Sequence, residues 1–455
     1  MMQRKPVESY RPVVLTVAGS DSGGGAGIQA DIKAIEAGGC FAASAITAVT
    51  AQNTIGVQAV EVLEPNIIED QITAVCDDLA VAAIKTGMLA SESVIETVEA
   101  AISAVDAPLV IDPVMVAASG DRLLDRQAEA AYESLIDGAT IVTPNADEAT
   151  VLTGIDIETI DDAIEAGEMI CDMGAEAALT KGGHWGDDRI EDVLITDDTV
   201  ETITHDRVES AATHGSGCYL ASSIAAGLAR GDDLSSSVST AIEDTARAIR
   251  YHLDIGQGPG SVHHLASLRT DAAAIETQTR AAALVQRLRE GHIDRLVPEV
   301  GMNIGVALPH AEVPDEIAAI DGRLVKAGDD IVQAGPIRFG ASGHVARYLL
   351  EVREHAPEYR VAANCRFDSD VEAAMIALDW PLLEVDREDQ PDAVAQREGG
   401  TMPWVAETAY GGDDRPVAVF DRGAVGKEAM VRLVATNPST LGDRLLDLAD
   451  ELAEP

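Results

Sequence analysis

Short apolar runs alternate with longer stretches of helical periodicity from residue 13 to about residue 265. That rhythm predicts βαβ units and a mostly parallel sheet flanked by helices. Six runs predict strands, at 13–18, 45–50, 82–84, 109–111, 141–143 and 177–179. They end in Gly19-Ser20-Asp21, Gln52-Asn53, Lys85-Thr86-Gly87-Met88, Asp112-Pro113, Pro144-Asn145 and Thr180-Lys181-Gly182-Gly183. Ligands of open α/β sheets bind at the carboxyl ends of the strands, so this edge is the expected site. One polar ending is what any turn produces, whereas six in succession point to a site. Beyond residue 265 the chain turns polar, a helical pattern runs over 275–290, and a new set of short strands begins near 304 and 322. The pattern predicts two domains, 1–267 and 268–455, the second a smaller α/β unit.

The turn His214-Gly215-Ser216-Gly217-Cys218 precedes a stretch, 219–230, rich in small and apolar residues that predicts a buried helix. Two glycines before a helix let backbone N–H groups converge on an anion, and the helix dipole adds to the attraction. Gly215, Ser216 and Gly217 are therefore candidate anion binders. Cys218, in the first turn, is expected to favour its thiolate and to act as base or nucleophile. A second glycine-rich segment, Gly19 to Asp31, packs four glycines into residues 23–27 but has no Gly-Lys-Ser/Thr to follow, so it is not a Walker P-loop.

Composition narrows the classes. Hydrophobic residues make up 46% of the chain and aromatics 3%, so its cores are built from Ala, Val, Ile and Leu. The formal charge is −46, and six of the 32 basic residues are lysines. Such repulsion is screened at molar salt, which fits a halophile's protein. No basic patch supports nucleic-acid binding, no run approaches a membrane span, and the first dozen residues carry no signal-peptide pattern, so a cytoplasmic location is expected. Five cysteines without a CxxC pair argue against a disulfide framework or structural zinc. The expected partners are small molecules, together with further copies of the chain in a homo-oligomer.

The segments AGSDSGGGAGIQAD (18–31), VTAQNT (49–54), KTGM (85–88), DPVM (112–115), TPN (143–145), KGGH (181–184) and HGSGC (214–218) closely resemble the hydroxymethylpyrimidine and phosphomethylpyrimidine kinases of thiamine biosynthesis. These belong to the ribokinase-like superfamily. The resemblance implies that ATP phosphorylates the hydroxymethyl group of 4-amino-5-hydroxymethyl-2-methylpyrimidine and then its monophosphate. It implies that Gly19, Ala26, Gln52 and Met88 line the pyrimidine pocket, that Asp112 and Glu148 serve Mg²⁺, and that Asn145 and Lys181 face the nucleotide. In the same reading, Gly215 to Cys218 form the anion hole, with Cys218 as base. Two departures stand out: many superfamily relatives carry aspartate where Cys218 stands, and relatives commonly carry lysine where this chain has Ala118.

In the second half, Pro298 to Gly305, Gly322 to Val325, Arg338 to His344, Asn364 to Phe367, Thr401 to Trp404 and Asp421 to Glu428 resemble the archaeal-type thiamine-phosphate synthase domain. That family joins the pyrimidine diphosphate to thiazole phosphate and releases pyrophosphate. Cations must stabilise the departing charge. Arg323 and His344 are the candidate catalytic residues, and Asn303, Arg338 and Lys427 the candidate substrate binders. The alternatives are a C-terminal module that only binds thiamine-related ligands as a regulator, and a kinase of the pyridoxal type.

Overall fold

The computed structural model describes residues 11–115, 128, 131–183, 189–328, 330–386, 390–391, 401–423 and 428–453. Ala118 and Lys427 lie outside them. The chain divides into two compact units, Met1–Ser267 and Leu268–Pro455.

In the first unit an eight-stranded sheet is formed by β1 (Val13–Ala18), β2 (Phe41–Ile46), β5 (Val81–Thr86), β6 (Leu109–Ile111), β7 (Ile141–Val142), β8 (Ala177–Thr180), β9 (Arg189–Thr196) and β10 (Val200–Asp206). Its order is β10-β9-β8-β7-β6-β5-β1-β2. From β2 to β8 neighbouring strands run parallel, and β9 and β10 close the far edge as an antiparallel hairpin. Because successive strand residues face opposite ways, β1 divides its apolar residues between two cores. Leu15 and Val17 meet Ile68, Ile72, Val94, Ile95 and Val98 on one face. Val14 meets Ile35, Leu220, Ile224, Val238 and Ile242 on the other.

The sequence pattern reads residues 45–50 as one strand, but the chain divides there. Thr47 donates its N–H to Ala18 and its hydroxyl to Met88. Beyond it, β3 (Ala48–Asn53) leaves the sheet and pairs with β4 (Gly56–Val62) in a separate ribbon. Gln52 and Asn53 therefore come from a ribbon rather than from a sheet strand.

Two glycines set the loops at the carboxyl edge. Gly27 opens helix α1 (Gly27–Ala37) at φ +55°, where a Cβ would stand 2.4 Å from the Gly19 carbonyl oxygen. Gly215, at φ +87°, precedes the long helix Ser216–Arg230, and a Cβ there would reach within 1.8 Å of the Gly25 carbonyl oxygen. The two glycine-rich segments thus touch, and neither glycine admits a side chain.

In the second unit a seven-stranded sheet has β11 (Ile304–Ala307), β12 (Ile317–Ile320), β15 (Ile337–Phe339), β16 (Val361–Arg366), β17 (Leu382–Glu384), β18 (Ala418–Asp421) and β19 (Met430–Ala435) in the order β15-β12-β11-β16-β19-β18-β17. Only β17 and β18 pair in parallel; the other neighbours are antiparallel. The helices Ala274–Glu290 and Pro438–Glu451 cover one face through Leu284, Leu288, Leu441 and Leu445. Gly343–His355 and Thr401–Tyr410 cover the other through Val345, Leu349, Val405 and Tyr410. The strand expected at 322–325 belongs to a detached ribbon, β13 (Leu324–Ala327) with β14 (Asp330–Gln333).

One polar cluster lies inside the first core. Lys85 on β5 is fully buried and donates to Asp31 Oδ1 of α1 at 2.9 Å. Asp31 also accepts from Thr16 at 2.6 Å and Ser222 at 2.8 Å. Losing one partner strands the other charge in the core, which costs about 3–5 kcal/mol. Asp31→Ala should lower the stability of this unit by about that amount in denaturant titration, and replacing both members, Asp31→Leu with Lys85→Met, should cost less than the single change.

Candidate active sites of the two units

The carboxyl edge of the first sheet opens into a cavity of about 900 Å³, and all twelve residues expected of a kinase site line it. Gly19, Ala26, Gln52 and Met88 form one region, in which a Cβ on Gly19 would stand 3.3 Å from the Met88 sulfur. Asp112, Asn145, Glu148 and Lys181 form a second, next to the turn 215–218. Lys181 Nζ lies 3.5 Å from Asp112 and 3.8 Å from Glu148. A Cβ on Gly217 would meet that ammonium at 3.4 Å, so the turn and the lysine face a common space. A third region is apolar, made by Val208, Leu220, Ile242, Ala246 and Ile249.

Local structure explains several placements. Asn145 and Glu148 form a reciprocal capping box on helix Ala146–Thr153, with bonds of 2.8 and 2.9 Å, so each already spends one oxygen holding the helix start. Burial raises the Glu148 carboxyl above its ordinary range; Lys181 opposes this, while Asp112 adds to it. The Lys181 ammonium is held charged, because Asp112 and Glu148 outweigh the effect of burial.

Cys218 departs from the sequence expectation. It lies in the first turn of its helix, yet burial pushes its thiol up to about 12. Lys85 pulls the other way, but Asp31 and Asp112 add to the rise. The thiol holds its proton at neutral pH. Desolvation outweighs the helix terminus here.

Three groups that the sequence reading passed over shape this cavity. Asp21, 2% exposed, accepts from the N–H groups of Gly23, Gly25 and Ala26 and contacts His214 Nε2 at 3.1 Å. Burial raises its carboxyl, but the His214 and backbone hydrogen bonds overcome that and hold it low. It ties the glycine-rich loop to the anion turn, and its place inside the motif was the only signal. His205 and Arg207 enter from the β9–β10 hairpin, whose pairing the sequence pattern did not predict.

In the second unit a cavity of about 290 Å³ gathers Arg323, His344 and Asn303. His344 is exposed at the start of helix Gly343–His355, where Ser342 makes no side-chain cap, leaving backbone donors for an anion. Arg323 donates to the Val300 carbonyl oxygen and packs its stem on Gly301. Asn303 lines the cavity, and its amide is engaged by the backbone. Its amide oxygen accepts from Ile304 and Ile320, and its nitrogen donates to the carbonyls of Ile320 and Gly322. The amide is spent in fastening β11 to β12 and to the turn after it. Arg338 does not line the cavity and pairs with Asp321 at 2.9 Å in solvent. The sequence reading missed Arg432 and Tyr348, which line the cavity from strand and helix interiors.

Residues 21–263 match the family described as phosphomethylpyrimidine kinase, and residues 280–447 match the family described as thiamine-phosphate synthase ThiN. The chain belongs to the phosphomethylpyrimidine kinase family. Its second half is a ThiN-type thiamine-phosphate synthase domain, so the two units together serve thiamine biosynthesis. The hydroxymethylpyrimidine/phosphomethylpyrimidine kinase of Streptomyces coelicolor is 44% identical over 255 residues, covering 56% of this chain and 94% of the relative. That of Rhizobium meliloti is 46% identical over 257 residues, covering 55% and 96%. The pyridoxal kinase of Bacillus subtilis, solved with ADP, superposes with a TM-score of 0.54 at 32% identity over 57% of this chain and 99% of that one. A complex of Staphylococcus aureus pyridoxal kinase with AMP-PCP and pyridoxal gives 0.53 at 32% identity, covering 57% and 96%. No helix among the described residues is long and apolar enough to cross a membrane.

Burial keeps the Cys218 thiol protonated well above neutral pH. Its alkylation by iodoacetamide, followed by mass spectrometry, should be far slower than that of a free thiol at pH 8 and should rise about tenfold per pH unit above it.

Proposed function

We propose that the first unit transfers the γ-phosphoryl group of ATP twice, to the hydroxymethyl group of 4-amino-5-hydroxymethyl-2-methylpyrimidine and then to the monophosphate so formed. The second unit consumes that diphosphate. The observation that carries the kinase reading is the single cavity that unites Gln52 and Met88, the turn 215–218, and the Asp112–Lys181–Glu148 cluster.

In this reading the Gln52 amide reads the amino group and ring nitrogen of the pyrimidine, and Met88 gives a soft apolar wall. The apolar region near Ile242 and Ala246 takes the adenine. The turn N–H groups and Lys181 hold the transferring phosphoryl group, whose loose transition state asks chiefly for positioning and charge stabilisation. The same looseness places a small demand on a base. Cys218, its thiol protonated, locates the acceptor oxygen beside Lys85 and Lys181, and the acceptor's proton passes to an oxygen of the transferred phosphoryl group as the new O–P bond forms.

Asp112 and Glu148 fit Mg²⁺: these two buried carboxylates would hold the ion through hard oxygen donors. When bound, the ion neutralises charge on the phosphates. In the second unit Arg323 and His344 stabilise the diphosphate as it leaves. The acid-rich composition is read as an adaptation to high salt, which sets the conditions for assay.

The pyridoxal kinases among the structural neighbours motivate a competition measurement, in which a strong preference for pyridoxal over the pyrimidine would overturn the substrate assignment. The main test uses the full chain in molar KCl with Mg²⁺. Cys218→Ala should lower kinase turnover at least tenfold while changing the KM for ATP little. His344→Ala should leave the kinase rate unchanged and lower thiamine phosphate formation by a factor of ten or more. Absence of thiamine phosphate from wild-type protein supplied with both substrates would leave the second unit a binding module.

A further inference from the structure

The cavity of the second unit has a charge pattern opposite to that of its chain. The protein carries 78 acidic residues, yet among the described residues the cavity is lined by Arg323, His344 and Arg432 and by no aspartate or glutamate. These three residues sit at different depths. His344 is exposed and Arg323 partly exposed, whereas Arg432 is 9% exposed and lies beside Tyr348 at 2%. Arg432 comes from the middle of the sheet, opposite Asn364 in the β16–β19 pairing.

Arg432 is also held in place before any ligand arrives. One terminal nitrogen donates to Asp421 at 2.9 Å, and the guanidinium stands over the Tyr348 ring at 5.9 Å. A guanidinium has five donors in a fixed fork. Asp421 secures one side of it, which leaves the side bordering the cavity to grip a second anion in a bidentate manner.

The synthase reaction brings two phosphorylated substrates to this place. The pyrimidine diphosphate must release pyrophosphate, so its charged end needs a path to solvent. The phosphate of the thiazole substrate does not react and stays on the product, so it can be buried. At about 290 Å³ the cavity has room to enclose one of them. We infer that Arg432 is the floor anchor for the monophosphate of the thiazole substrate, and that the diphosphate is met at the mouth by Arg323 and His344. This inference rests on the synthase reading above. It explains how a small cavity keeps two anionic substrates in order: the non-reacting phosphate goes to the buried Arg432, and the leaving group goes to the more exposed pair.

The test measures initial rates of thiamine phosphate formation by full-length protein in molar KCl with Mg²⁺, varying each substrate separately. Arg432→Met combined with Asp421→Asn avoids stranding a buried carboxylate. It should raise the KM for thiazole phosphate at least tenfold, with less than a threefold change in the KM for the pyrimidine diphosphate. Arg323→Met should do the reverse. Titration calorimetry of thiazole phosphate against the unphosphorylated thiazole alcohol supplies a readout without turnover. Wild-type protein should prefer the phosphate at least tenfold, Arg432→Lys should retain part of that preference, and the double variant should lose it. A selective rise in the KM for the diphosphate in the Arg432 variant, or an undiminished preference for the phosphate in calorimetry, overturns the inference. Wild-type protein that binds thiazole phosphate but makes no product would count against the synthase reading alone.

Discussion

The kinase cavity depends on a positive charge kept where water does not reach. Lys85 Nζ, paired with Asp31 and fully buried, joins three parts of the first unit: β5, which carries the lysine, α1, which carries the aspartate, and the helix behind the anion turn, which adds Ser222. Such a pair is stable only when both charges are satisfied together. The polar cluster therefore fixes α1 and helix Ser216–Arg230 against the sheet. Gly27 opens the first helix and Gly215 precedes the second, and neither admits a side chain, so the two N-termini arrive at the carboxyl edge in contact. The turn 214–218 gains its position from this arrangement, and the same buried surroundings keep the Cys218 thiol protonated.

The cavities of the two units are lined in different ways. In the first, carboxylates and ammonium groups meet: Asp112 and Glu148 flank Lys181, a composition suited to a metal ion as well as to an anion. In the second, the described lining combines apolar side chains with arginines and holds no carboxylate, and Arg432 is anchored by an aspartate behind it. In a chain of net charge −46, a cavity with that lining concentrates anions that the rest of the surface repels.

The sequence was most legible where chemistry sits at the end of an element. Asp112, Asn145, Lys181 and Gly215 to Cys218 each follow a strand or open a helix, and all border the first cavity. It was least legible where a residue inside an element reaches the site. Arg432 lies within β19 and Tyr348 within a helix, positions that periodicity assigns to packing. Asn303, a motif asparagine that lines the cavity, also has its amide engaged by the backbone of β11, β12 and the turn beyond, which spacing alone does not reveal. The reading of 45–50 as a single strand missed the break at Thr47, because the bonds that make it come from Ala18 and Met88, both distant in sequence.

Alternating apolar periods and glycine placement marked this chain as α/β in both halves and one sheet edge as its expected site, and the ordered motifs carried the resemblance to a family of pyrimidine kinases. These are local properties, written in residue type and spacing. Tertiary structure alone decided which charges are dry, which donors are already spent and which cations share a cavity. Each of these depends on neighbours far away in the chain: burial set the proton on Cys218, Arg338 pairs with Asp321 in solvent, and Asp421 holds Arg432.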